Sequence, residues 1–361
     1  MGRKYEHLIK PLIQGRVEIE AIRSSDTGSS AFNGPGNADK IVWLNGSDHL
    51  GGLELNFSWG FYSGIGDWHT GQDPHVHPYA ECLVFVGLDS AKMNYLGAEI
   101  EISLGKEQET YTFDEPTVVL IPAGMQHCPL ITKRVFSPKG YGFFLLCLGA
   151  VPTTTWMGEG ITGETLKGLA DMAEKQGIKL PMKSSVSKKR VRKNPTPPTG
   201  KYAHLVRPIS SGVFIERGKT ARALSKACAA YHEEMKKRNE IPGPGYADHL
   251  AWMFGSDLDM YFNWGYYSRP GIWHRGMNAA VNSSPEVIVL AGLDPKDIDC
   301  LGAQVEIEIG KEKERYIIER PSAIIKPAGI PFYPTVTRWA DRPFAAYTVG
   351  LSSMPETKAV D

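Results

Sequence analysis

Four residues in the first half of the chain have the types and spacing to hold a metal ion: His75, His77, Glu81 and His127. The first three fall in His75-Val-His-Pro-Tyr-Ala-Glu81, and residues an even number apart on a strand share a face, so two imidazoles and a carboxylate are expected to converge. The fourth follows in Pro122-Ala-Gly-Met-Gln-His127-Cys. This mixed nitrogen and oxygen set suits one first-row divalent ion and, in octahedral geometry, leaves two further positions. An ion held this way can polarise a chelated, oxygen-rich substrate or activate water, and Fe(II) can instead take dioxygen. Three imidazoles and a carboxylate buried without a metal would be costly, unsatisfied polar groups.

The elements that position these residues are repeated along the chain. Lys4-Tyr-Glu-His-Leu-Ile-Lys-Pro11 returns as Lys201-Tyr-Ala-His-Leu-Val-Arg-Pro208, and Trp59-Gly-Phe-Tyr-Ser63 as Trp264-Gly-Tyr-Tyr-Ser268. Leu96-Gly-Ala-Glu-Ile-Glu-Ile102 returns as Leu301-Gly-Ala-Gln-Val-Glu-Ile307, and from Trp59 to Gly124 the two copies align without a gap. Such self-similarity marks a duplication. Within each copy, short alternating or apolar segments such as 54–61, 82–86, 98–103, 109–113 and 117–121 are separated by Gly, Pro and Asp clusters, the pattern of an antiparallel sandwich or barrel. Helix is expected only at 162–176 and 220–237. The basic, then Pro-rich residues 181–200 are read as a linker between an N-terminal domain, 1–180, and a C-terminal domain, 201–361.

Composition narrows the partners. With 40 basic and 40 acidic residues the chain is neutral, which gives no reason to propose nucleic acid or an anionic membrane and leaves a small-molecule substrate as the expected partner. No apolar run approaches the roughly 18 residues that span a bilayer, and the N-terminus carries no apolar signal core. Five cysteines without close metal spacing, four of them in apolar or helical surroundings as buried free thiols are, fit a reducing compartment, so a cytoplasmic location is expected.

The pair His75-x-His77-x3-Glu81-x5-Gly87 and Pro122-x-Gly124-x2-His127 resembles the two motifs of the cupin superfamily, and their duplication resembles a bicupin. The resemblance implies an all-β fold with minor helices, two double-stranded β-helix or jelly-roll barrels in tandem, with the metal at the mouth of a barrel. One departure is that His69 stands where the first motif usually opens with Gly. Cupin barrels often associate through strand exchange or sheet faces, so the resemblance implies a homodimer, with the Lys4 and Lys201 segments as its expected means.

At the constant offset His75 becomes Ala280, His77 becomes Asn282, His127 becomes Phe332, and only Glu81 survives, as Glu286. One carboxylate cannot compose a first-row site, so the second barrel is expected to lack metal and to serve packing or assembly. The same comparison sorts the neighbours. Asp73, Tyr79 and Gln126 change together with the ligands, to Asn278, Ser284 and Pro331, and are the candidates for positioning substrate or water. His69 is a further catalytic candidate, but its counterpart His274 persists without the ligands, which favours a scaffold role. Trp59, Phe61, Tyr62 and Trp68 are expected either to wall the site or to pack the barrel, and residues 18–40 are a candidate lid.

Within bicupins the resemblance points to dioxygenases, to decarboxylases such as those acting on oxalate, and to ring-opening hydrolases similar to dihydrophloroglucinol cyclohydrolase. The carboxylate ligand favours a hard ion, manganese first, with iron, zinc or nickel as alternatives. The expected activity is hydrolytic cleavage of a carbon–carbon bond in a cyclic or 1,3-dicarbonyl compound. The alternatives are Fe(II)-dependent dioxygenation, decarboxylation, and a ligand-binding or structural bicupin without catalysis.

Overall fold

The computed structural model of the chain describes residues 3–17, 38–68, 74–157, 199–216, 247–255, 258–273, 279–355 and 357–360. The expected helices 162–176 and 220–237, most of the linker, most of the candidate lid, and both His69 and Asp73 lie outside them. Among the described residues the elements are strands and four short 3-10 turns, arranged as two antiparallel β-barrels in tandem.

Gly15–Leu88 and Asn94–Pro208 make up one compact unit, and Met1–Gln14, Asp89–Met93 and Ile209–Asp361 the other. In the first, Lys40–Leu44, Asn56–Tyr62, Tyr141–Cys147, Glu81–Val86, Thr117–Ile121 and Val206–Pro208 lie side by side in one antiparallel sheet. Thr155–Trp156, His75–Val76, His127–Val135, Ala98–Leu104 and Glu109–Phe113 form the facing sheet. The segments read from sequence alternation therefore form strands, within two residues at each end. Leu83, Phe85, Ile100, Ile102, Val119 and Phe143 are among the buried side chains that fill this barrel.

Each copy of the Lys-Tyr-x-His-Leu segment lies in the unit built by the other copy. Val206–Pro208 pairs antiparallel with Thr117–Ile121, and Ile9–Pro11 pairs antiparallel with Ser322–Lys326. Each added strand is at a sheet edge and ends in proline, which needs no further N–H partner there. The anchors repeat as well: the Tyr202 hydroxyl donates to Glu107 at 2.7 Å and the Tyr5 hydroxyl to Glu312 at 2.9 Å. Gly105 and Gly310 have φ of 74° and 79°, and a Cβ on either would meet the Tyr202 or Tyr5 ring within about 2.4 Å. Glycine is required there both by backbone conformation and by the ring against it. The segments expected to exchange strands between two molecules are thus engaged within one chain.

Candidate metal centre

The two sheets bring the four predicted ligands together. His75 is opposite His127 in one sheet, and Glu81 opens a strand of the other, between Cys147 and Ile121. The route differs from the alternation read in the sequence. The strand His75–Val76 is two residues long, because Pro78 cannot donate to a ladder, and the chain turns at 77–80 before Glu81 enters the opposite sheet. Convergence comes from this turn between sheets and not from one extended strand.

All four side chains are buried. His77 Nε2 lies 3.4 Å from Glu81 Oε1, and His127 Nε2 lies 3.1 Å from Glu81 Oε2. The His75 ring is 4.1 Å from the His127 ring and 4.9 Å from that of His77, centre to centre. His77 Nδ1 lies 2.7 Å from the Thr153 carbonyl oxygen and His127 Nδ1 lies 3.1 Å from that of Met125. A carbonyl can only accept, so both rings carry a proton on Nδ1 and turn Nε2 toward Glu81. The His77 Nε2 has no hydrogen-bond partner, although it is buried. This donor set fits a divalent ion: His77, Glu81 and His127 offer ligand atoms within 4.8 Å of one another, with His75 beside them.

The electrostatics agree. Burial holds the His77 imidazole below its ordinary pKa against the opposing pull of the Glu81 charge, so it is a neutral ligand. Burial pushes the Glu81 carboxyl up, but the neighbouring His77 and His127 side chains and the Cys147 thiol outweigh it and bring it to about 2. Glu81 is an anion, and the Cys147 thiol donates to its Oε1 at 3.5 Å.

The other predicted residues separate. Tyr79 stacks on the His77 ring at 5.3 Å, and its hydroxyl accepts the Thr153 N–H at 2.8 Å. Since the Thr153 carbonyl holds His77 Nδ1, Tyr79 braces a ligand from behind. Burial pushes its phenol far above the ordinary range, so it is a neutral hydroxyl. Gln126 is buried with neither amide atom hydrogen-bonded. Tyr62 and Trp68 stack at 4.5 Å inside the barrel core, and Trp68 donates to Thr132 at 3.1 Å. Tyr267, Trp273 and Thr337 repeat that arrangement in the other unit, which assigns the pair to scaffold. Trp59 and Phe61 alternate onto the opposite face of their strand from Tyr62 and pack against each other, so they do not wall the site. His49 Nδ1 accepts the Asn45 N–H within its own loop, and His7 and His204 are exposed.

In the second barrel a lysine occupies the electrostatic role of a cation. Lys326 Nζ lies 2.5 Å from Glu286 Oε2, and Tyr261 and Asn282 also donate to that carboxylate. Lys326 aligns with Ile121 and Tyr261 with Asn56. The comparison that singled out Tyr79 and Gln126 would have flagged both positions, and Cys128, which becomes Tyr333.

No protein-family model matches the chain and no curated protein does. Solved structures are similar. Oxalate decarboxylase from Bacillus subtilis at pH 4.6 superposes with a TM-score of 0.51 at 8% identity, over 95% of this chain and 85% of that chain. Oxalate decarboxylase from Lactobacillus farciminis in a formate complex gives 0.51 at 9%, over 90% and 84%. A structure from work on the Mn(II) centres of the Bacillus subtilis enzyme gives 0.51 at 7%, over 90% and 76%. At such identities the likeness is one of fold.

Proposed function

We propose that the first barrel is a divalent-metal-dependent enzyme that cleaves a carbon–carbon bond of a small, oxygen-rich substrate, and that the cleavage is a decarboxylation. The observation that carries the metal is the buried His77, His127 and Glu81 set, with two Nδ1 atoms fixed on carbonyls and both Nε2 atoms turned to one carboxylate. The likeness in fold to manganese-containing oxalate decarboxylase supports decarboxylation over the hydrolytic ring opening expected from the sequence, and lends no support to a specific similarity to dihydrophloroglucinol cyclohydrolase. Manganese is the first choice of ion.

When bound, the ion supplies a positive centre that orients a chelating acid and stabilises developing negative charge. The chain does the rest. Glu81, charged throughout the physiological range, and the neutral His77 imidazole set the charge of the centre. Tyr79 and Thr153 hold the His77 ring in register, so that the ligating nitrogen does not need to reorganise. The Gln126 amide has a donor and an acceptor unmet in the protein and is the candidate to hydrogen-bond a substrate oxygen.

The test is a panel of small di- and ketoacids and cyclic 1,3-diketones, assayed with Mn2+ under strict anoxia. Carbon dioxide release without oxygen is the expected result. Ring-opened product carrying oxygen from labelled water would instead establish hydrolysis, and an absolute oxygen requirement would establish dioxygenation.

A further inference from the structure

Next to the four ligands is a donor that the proposed function does not use. One donor atom each from His75, His127 and Cys128 lies within 4.8 Å of the other two, and all three residues are buried. Neighbouring residues on a strand ordinarily face opposite ways, so His127 and Cys128 should not meet the same partner. They do here because Cys128 has a φ of 75°, in a region a non-glycine residue seldom occupies, where the pairing to Ala98–Leu104 shifts register between His127 and Leu130. The backbone holds this uncommon conformation at the residue whose thiol it turns toward two imidazoles. In the barrel that lost its ligands, Cys128 is replaced by Tyr333.

We propose that His75, His127 and Cys128 are a second ligand set at the same centre, one that captures a thiophilic divalent ion such as Zn2+ or Cd2+. Two imidazoles and a thiolate are a soft set, and tetrahedral zinc sites accept such a triad with a fourth position open. Binding forms the sulfur–metal bond as the S–H proton leaves to solvent. His127 belongs to both sets, so an ion held by sulfur removes a ligand from the hard-ion site. Thiophilic ions then act as competitive inhibitors with respect to Mn2+, a regulation that rests on the function proposed above.

The test uses the full metal-free chain and does not depend on turnover. X-ray absorption of the Zn2+-loaded protein should show one sulfur among nitrogen and oxygen scatterers, and Cd2+ should bring up thiolate charge-transfer absorption in the ultraviolet. Cys128→Ser should remove the absorption and weaken Cd2+ binding about tenfold or more, while Mn2+ binding, followed by electron paramagnetic resonance, is retained. His77→Ala should do the converse, losing Mn2+ and keeping the Cd2+ absorption. Only nitrogen and oxygen around Zn2+ in the wild-type protein, or a charge-transfer band that survives Cys128→Ser, would overturn the proposal. A protein that takes Cd2+ through Cys128 but no Mn2+ would leave this inference standing and remove the hard-metal function.

Discussion

At the scale of single residues, the site depends on which nitrogen of each imidazole is held by a carbonyl. Thr153 connects three parts: its carbonyl holds His77 Nδ1, its N–H is accepted by Tyr79, and the Tyr79 ring covers His77. Tyr79→Phe keeps the stacking and removes the acceptor, so it should cost about 1 kcal/mol of stability, read by urea unfolding, and weaken Mn2+ binding measurably in calorimetry. In the second barrel the corresponding dependence is on Lys326. Burial pushes the Glu286 carboxyl up, but the Lys326 ammonium and the Tyr261 and Asn282 donors hold it below its ordinary value. A depressed carboxylate stabilises the fold above its unfolded pKa, and that contribution is lost as the pH falls through the folded value. Lys326→Met leaves the anion buried and uncompensated and should cost about 3–5 kcal/mol at pH 7. The gap to wild type should narrow through the acid range, and Glu286→Gln in the same chain should restore much of the loss.

At the scale of elements, the repeated opening segments became interpretable only through their pairing. Their recurrence showed that they matter, and the repeated features that dock them are Tyr5 against Gly310 and Tyr202 against Gly105. Gly105→Val combines a disfavoured left-handed backbone with a side chain set against a tyrosine ring. It should destabilise the site-bearing unit by well over about 1 kcal/mol, seen as a lower thermal midpoint. Residues 98–103, 109–113 and 117–121 were legible as strands because one face of each is buried and the other half-exposed, or because the whole run is apolar. The two-residue strand at His75 was not legible, since its end is set by Pro78 and by the sheet that receives Glu81.

For the whole molecule, the exchange ties the two repeats together by strands as well as by the chain between them. Cleavage at a protease site engineered into residues 182–198 should leave two fragments that co-elute in native size exclusion, because Ile9–Pro11 remains paired with Ser322–Lys326 and Val206–Pro208 with Thr117–Ile121. Fragments that separate without denaturant would contradict that pairing. The homodimer expected from strand exchange has lost its proposed means and stands as a proposal for sedimentation to decide. No helix among the described residues is long and apolar enough to cross a membrane.

The sequence by itself determined the duplication, the barrel strands, the candidate ligand residues and the asymmetry between the halves. Each of these is written in residue type and spacing, and each could be read by comparing one copy with the other. Tertiary structure decided what depends on atoms from distant strands meeting. It turned Tyr79 from a candidate for positioning substrate into a neighbour stacked on His77, assigned Tyr62 and Trp68 to the core, set Lys326 on the surviving carboxylate, and brought the Cys128 thiol beside His75 and His127. The physical reason is that spacing fixes which side chains can share a face, whereas turns between sheets and a single left-handed residue decide which of them converge.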